Sequence, residues 1–148
     1  MRVRVAVVLL ASTVVGGCGG GTADSALRAR LVGRSFVSQS VDGLRLVEGS
    51  QVNVSFDDTG VNASAGCNSF GGPFDIQGGV LKMSMLESTA IGCAAPLAAQ
   101  DGWLSSFLLA GPTLALTDPT LDMSTADVQV HLLDRKIAIP DRPLVGTP

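Results

Sequence analysis

From Ser35 onward, apolar and polar residues alternate in short runs separated by turn residues. That period-two pattern predicts strands with one buried face. Residues 35–41 (SFVSQSV) set Phe36 against polar neighbours and end at Asp42-Gly43. Residues 51–56 (QVNVSF) put Val52, Val54 and Phe56 on one face. The run Asp57-Asp58-Thr59-Gly60 turns the chain into residues 61–65, again with period two. Gly71-Gly72-Pro73 bends it before Phe74-Asp75-Ile76, and Gln77-Gly78-Gly79 reads as a hairpin turn into residues 80–85. Adjacent strands joined by such short turns pair antiparallel.

One stretch departs from this period. Residues 96–110 (PLAAQDGWLSSFLLA) carry Leu97, Trp103 or Leu104, Phe107 and Leu108 near helical spacing. Pro96 suits a first helical position and Gly111-Pro112 is a stop signal. Gly102 within the helix costs about 1 kcal/mol relative to alanine. Residues 113–117, 120–124 and 128–133 resume the strand pattern, divided by turns at Asp118-Pro119 and Ala126-Asp127. About eight strands and one helix predict a mainly antiparallel β fold, a sheet curling toward a small barrel with the helix over one opening.

The first residues change the address rather than the fold. Arg2 and Arg4 precede a largely apolar run from Val5 to Val15, and Gly16-Gly17 leads into Cys18. That is the order of a secretory signal, and its core is too short for a spanning helix of about 20 residues. Small residues directly before a cysteine look like a lipobox; an ordinary secretory signal with a chance cysteine is the alternative. The expected division is a signal peptide over residues 1–17, a lipid-bearing Cys18 with a flexible tether over 18–26, the β domain over 27–136, and a tail over 137–148. Cleavage would remove Arg2 and Arg4, leaving 8 basic against 13 acidic residues, a net near −5. No basic cluster remains, which argues against a nucleic-acid partner.

Of 3 cysteines, a lipid on Cys18 leaves Cys67 and Cys93 as an even pair in an oxidising compartment. A bridge would close a loop of about 27 residues and contribute roughly 3–4 kcal/mol; two buried free thiols are the alternative. In the tail, Leu144-Val145-Gly146 repeats Leu31-Val32-Gly33, each with an arginine just upstream. The repeat suggests a chain shortened from a two-domain ancestor.

Leu31-x-Gly33 with Phe36, the strand Val52-x-Val54-x-Phe56, then Gly66-Cys67-Asn68-x-Phe70-x-Gly72 with Phe74, and Thr89-x-x-x-Cys93 before the helix together resemble the META domain family of HslJ-like proteins. Phe36 and Phe74 stand where that family often has tryptophan and tyrosine. The resemblance covers residues 31–135 and implies a small antiparallel β domain with one helix. It also implies an exported, envelope-associated role linked to heat response and novobiocin tolerance, with no catalytic activity. Gly66, Cys67, Asn68, Phe70, Gly72, Thr89 and Cys93 enter as structural motif residues.

Candidate chemistry is sparse. A nucleophilic Cys67 needs a base, and the single histidine, His131, falls opposite the Val128/Val130/Leu132 face of its strand. No Gly-x-Ser-x-Gly elbow, zinc signature or phosphate loop is present. Asp57, Asp58, Asp118 and Asp122 fall at or beside turns, where aspartate caps backbone. Asn68 is expected to pair with backbone groups at its bend. The expected function is a non-enzymatic envelope lipoprotein without cofactor or metal, held to the membrane through lipid on Cys18 and acting on an envelope protein. The alternative is a carrier or sensor with an apolar cavity above about 300 Å³.

Overall fold

Turn chemistry divides the described residues into ten strands, from 2 residues in the shortest to 9 in the longest. The computed structural model describes residues 20–140. Helix α1 (Gly20–Leu31) leads into β1 (Arg34–Asp42), β2 (Asn53–Phe56), β3 (Val61–Ser64) and β4 (Ser69–Gly72). Strands β5 (Phe74–Gln77), β6 (Val80–Met83) and β7 (Glu87–Ser88) precede helix α2 (Ala95–Leu109). Strands β8 (Thr113–Thr117), β9 (Thr120–Ser124) and β10 (Gln129–Asp134) follow, and α3 (Arg135–Ala138) closes the described chain.

All pairings are antiparallel, in the order β5-β6-β8-β9-β10-β1-β2-β3-β4-β7. The first strand therefore lies beside the last, Phe36 opposite Asp134, and β5 and β7 are left as the two edges. The result is a curled half-barrel, mainly antiparallel β with α2 as its main helix. Register carries the core: Phe36, Val54, Ala63 and Phe70 follow one another across β1–β4 on the inner face. Leu114, Met123 and Val130 do the same across β8–β10. Phe36 meets Phe56 edge-on at 6.3 Å between centroids, and Phe56 meets Phe74 at 5.4 Å, the packing aromatic quadrupoles favour.

Two features differ from the sequence expectation. Residues 20–26, expected in a flexible tether, belong to α1. Ala23, Ala26, Leu27 and Ala29 are strong helix formers, and tertiary contacts fix the helix. The Asp24 carboxylate accepts from the N–H groups of Gly78 and Gly79 at 2.8 and 2.9 Å. Arg28 donates to the Phe74 carbonyl at 2.8 Å and lies 4.0 Å over the Phe74 ring. Helix α1 thus packs on β5, covering an edge that would otherwise present unpaired backbone. The second difference concerns aspartates. Asp57 caps its own turn, accepting from the N–H groups of Thr59 and Gly60. Asp118 instead pairs with Arg30 and Arg34, both at 2.6 Å, and Asp122 stands within β9. Among the described residues no helix is long and apolar enough to cross a membrane. The expected signal peptide, Cys18 and the Leu144 repeat lie outside the described residues.

Candidate functional site: the stapled corner and the outer grooves

Helix α2 explains why the motif residues converge. Its buried stripe is Gln100, Asp101, Leu104, Phe107 and Leu108, one helical face by spacing. The C-terminal half of that stripe is apolar and fills the core. The N-terminal half is an amide and a carboxylate, and it faces the backbone of three loops. Gln100 Oε1 accepts from Val47 N–H at 2.6 Å, while its Nε2 donates to Ser50 Oγ at 2.8 Å and to the Ala65 carbonyl.

Asp101 meets the predicted motif. Cys67 and Cys93 form a disulfide with Cα atoms 6.3 Å apart, tying the β3–β4 turn to the segment entering α2. Between them Asn68 spends both ends of its amide. Its Nδ2 donates to Asp101 Oδ2 at 2.9 Å and to the Ile91 carbonyl at 3.2 Å. Its Oδ1 accepts from Ile91 N–H at 2.8 Å and from Thr89 Oγ1 at 2.9 Å. The Asn68 N–H also donates to Asp101 Oδ2, at 2.9 Å, and Ser69 N–H to Thr89 Oγ1, at 3.1 Å. Cys93 Sγ lies 3.7 Å from Asp101 Oδ2; a disulfide sulfur has no proton to give, so this is contact only. Asp101 Oδ1 is buried with no partner among the described residues.

Glycine at two motif positions has a steric cause. Gly66 takes a φ of 127°, a region L side chains avoid, and a Cβ there would come within 3.0 Å of the Leu97 side chain. A Cβ on Gly72 would come within 2.2 Å of the Met85 carbonyl oxygen. Phe70 turns into the core. The structure therefore gathers Gly66, Cys67, Asn68, Thr89 and Cys93 at one corner and places Phe70 beneath it and Gly72 at the end of β4. Sequence reasoning missed Gln100 and Asp101, although both sit one turn before Leu104 on the stripe that it did find.

His131 lies on the other side of β10 from Val130 and Leu132, as its position predicted. Its Nδ1 is 2.7 Å from Asp122 Oδ1 and its Nε2 is 3.1 Å from Asp42 Oδ2. These contacts, the one to Asp122 first, raise its pKa above the usual histidine value.

On the outer face of the sheet, the corner walls a groove of about 470 Å³ lined by Gly60, Asn62, Ser69, Gly71, Glu87 and Thr89, among others. A second depression, of about 210 Å³, shares Asn62 and Ser69 and runs across β1–β3 to Arg135. Both open on the surface. Hydroxyls, Asn62 and glycine backbone mix in their linings with apolar surface, Phe70 and Pro73 in the larger and Phe36, Val54 and Ala63 in the smaller. The inner face is filled by Phe36, Phe56, Leu81, Leu121 and Met123.

The comparisons agree with this architecture. An NMR structure of a protein is 27% identical to this chain, with a TM-score of 0.60, covering 72% of this chain and 92% of its own. An NMR structure of a protein from Burkholderia xenovorans is 14% identical, with a TM-score of 0.61 over 84% of this chain and 94% of its own, which is a likeness of fold. A search of curated proteins gives no match. The model of the META domain matches residues 29–137, from the last turn of α1 through α3. With the Gly-Cys-Asn corner, the disulfide and the curled sheet in place, the chain belongs to the META domain family.

Proposed function

We propose that this chain is a non-enzymatic cell-envelope lipoprotein, exported and held at the outer face of the membrane by lipid on Cys18, which supports envelope integrity and stress or antibiotic tolerance by binding a partner. The observation that carries this reading is a division of labour between the two faces of the sheet. The inner face is filled by aromatic and aliphatic side chains. The outer face of β1–β4 holds Ser35, Ser55, Asn62, Ser64 and Ser69, whose side chains make no hydrogen bond among the described residues. Free donors and acceptors beside an open groove are the raw material of recognition. The carrier alternative needs an apolar cavity; the inner face is packed with Phe36, Phe56, Leu81, Leu121 and Met123, and the grooves of about 470 and 210 Å³ lie open on the outer face.

The test is complementation in a strain lacking the protein, challenged with heat and novobiocin. The wild-type chain should restore tolerance. Cys18→Ser and the outer-face pair Asn62→Lys with Ser64→Lys should not, at unchanged protein abundance. Full rescue by the outer-face pair would overturn the reading. Native mass spectrometry of membrane-extracted protein should show acyl mass on the chain; a stoichiometric small apolar molecule would instead support a carrier.

A further inference from the structure

The depression beside Arg135 has a chemical bias that points to an occupant. Over the buried Phe36, Val54 and Ala63, its lining carries Ser35, Asn53, Ser55, Asn62, Ser64 and Ser69, all uncharged and all short. Solvent-facing strand positions need no such uniformity. Neutral hydroxyls and amides offer both donors and acceptors, the pattern that complements a polyol. Into this neutral field comes a single charge. Arg28, Arg30 and Arg34 are each engaged, by carbonyls, by Asp118 or by Asp134. Arg135 is exposed and has no ion pair or hydrogen bond from its guanidinium among the described residues. A guanidinium left free is suited to a carboxylate or phosphate oxygen.

We propose, resting on the recognition reading above, that this depression binds an acidic sugar residue of an envelope polysaccharide. Arg135 takes its anionic group, and the serines and Asn62 take its ring hydroxyls. Size and continuity narrow the occupant. At about 210 Å³ the depression falls below the roughly 300–1,000 Å³ of pockets for drug-sized ligands, which suits one sugar ring. It shares Asn62 and Ser69 with the neighbouring groove of about 470 Å³, whose lining includes Glu87. A polymer can continue along that path, whereas an isolated lipid headgroup would use only its Arg135 end.

The test titrates the full chain in detergent with a galacturonate trimer, galactose and acetate, followed by calorimetry and backbone amide shifts. The trimer should bind saturably, with shifts centred on residues 35, 55, 62, 64 and 69. Arg135→Gln should weaken it about tenfold and Ser64→Val should weaken it measurably, both with unchanged melting temperature. Galactose and acetate should each bind at least about tenfold more weakly than the trimer. Acetate matching the trimer would reduce the site to a bare ion pair and overturn the proposal. Vesicles containing phosphatidylinositol outcompeting the trimer would overturn the polysaccharide source. If no probe binds while the outer-face pair still fails to complement, the ligand class falls and the recognition reading stands.

Discussion

The Asn68 corner and the His131 row each gather polar side chains around a single hub, but they stand on different terms with water. At the corner, Gln100 and Asp101 are 6% and 5% exposed, and their partners are mostly backbone groups of loops that have no strand ladder to satisfy them. In the row, His131 lies between Asp42 and Asp122 on the outer face, with side chains 35%, 72% and 38% exposed. A buried polar group that loses its partner bears the full desolvation penalty. An exposed one exchanges that partner for water. Similar contacts should therefore have very different weights in the two regions: the corner holds the fold's irregular half in place, and the row adjusts stability at the margin.

The largest test of that contrast removes the staple. Replacing Cys67 and Cys93 together by alanine frees a loop of about 27 residues and should lower unfolding free energy by roughly 3–4 kcal/mol, read as a lower urea midpoint. A change below about 1 kcal/mol would mean that Asn68, Thr89 and Asp101 hold the corner without the covalent bond. Next in size is Gln100→Ala. It strands the Val47 N–H and the buried Ala65 carbonyl at once, and about 2 kcal/mol is expected. Amide exchange should speed up at Val47 and in the neighbouring loop while β9 and β10 stay protected. Uniform exchange across the sheet would contradict the view that Gln100 acts locally.

Much of this architecture was legible because strands announce themselves by period. Val52, Val54 and Phe56 needed no partner to be read as one face, and the apolar end of α2 was found through Leu104, Phe107 and Leu108. The hidden parts are those whose meaning depends on distant residues. Gln100 and Asp101 look like a solvent face until the loops bearing Val47, Ala65 and Asn68 arrive above them. The glycine-rich approach to α1 looks like a tether, since Asp24 finds Gly78 and Gly79 only after crossing 54 and 55 residues of sequence. Asp118 looked like a turn cap for the same reason: Arg30 and Arg34 lie 88 and 84 residues away. Cys67 and Cys93 were paired by count and compartment, and Asn68 was expected at a bend, but nothing local named Asp101 as the carboxylate beneath them.

The smallest expected effect lies in the row and is a dependence on pH. His131 has its pKa raised by the hydrogen bond to Asp122 first and the one to Asp42 second. A histidine with a higher pKa in the folded state than in the unfolded chain binds its proton more tightly when folded. Its contribution is then fully present below the unfolded value of about 6.5 and is lost as pH rises through the folded value. Urea midpoints should accordingly fall as the buffer is taken from about pH 6 toward pH 8, by a small amount because water and salt screen the row. His131→Gln should flatten that slope, and Asp122→Asn should reduce it more than Asp42→Asn. Gln100→Ala should shift the whole curve down and leave the slope alone. If His131→Gln retains the wild-type slope, the row contributes nothing to stability even at the margin, and another titrating group sets the dependence.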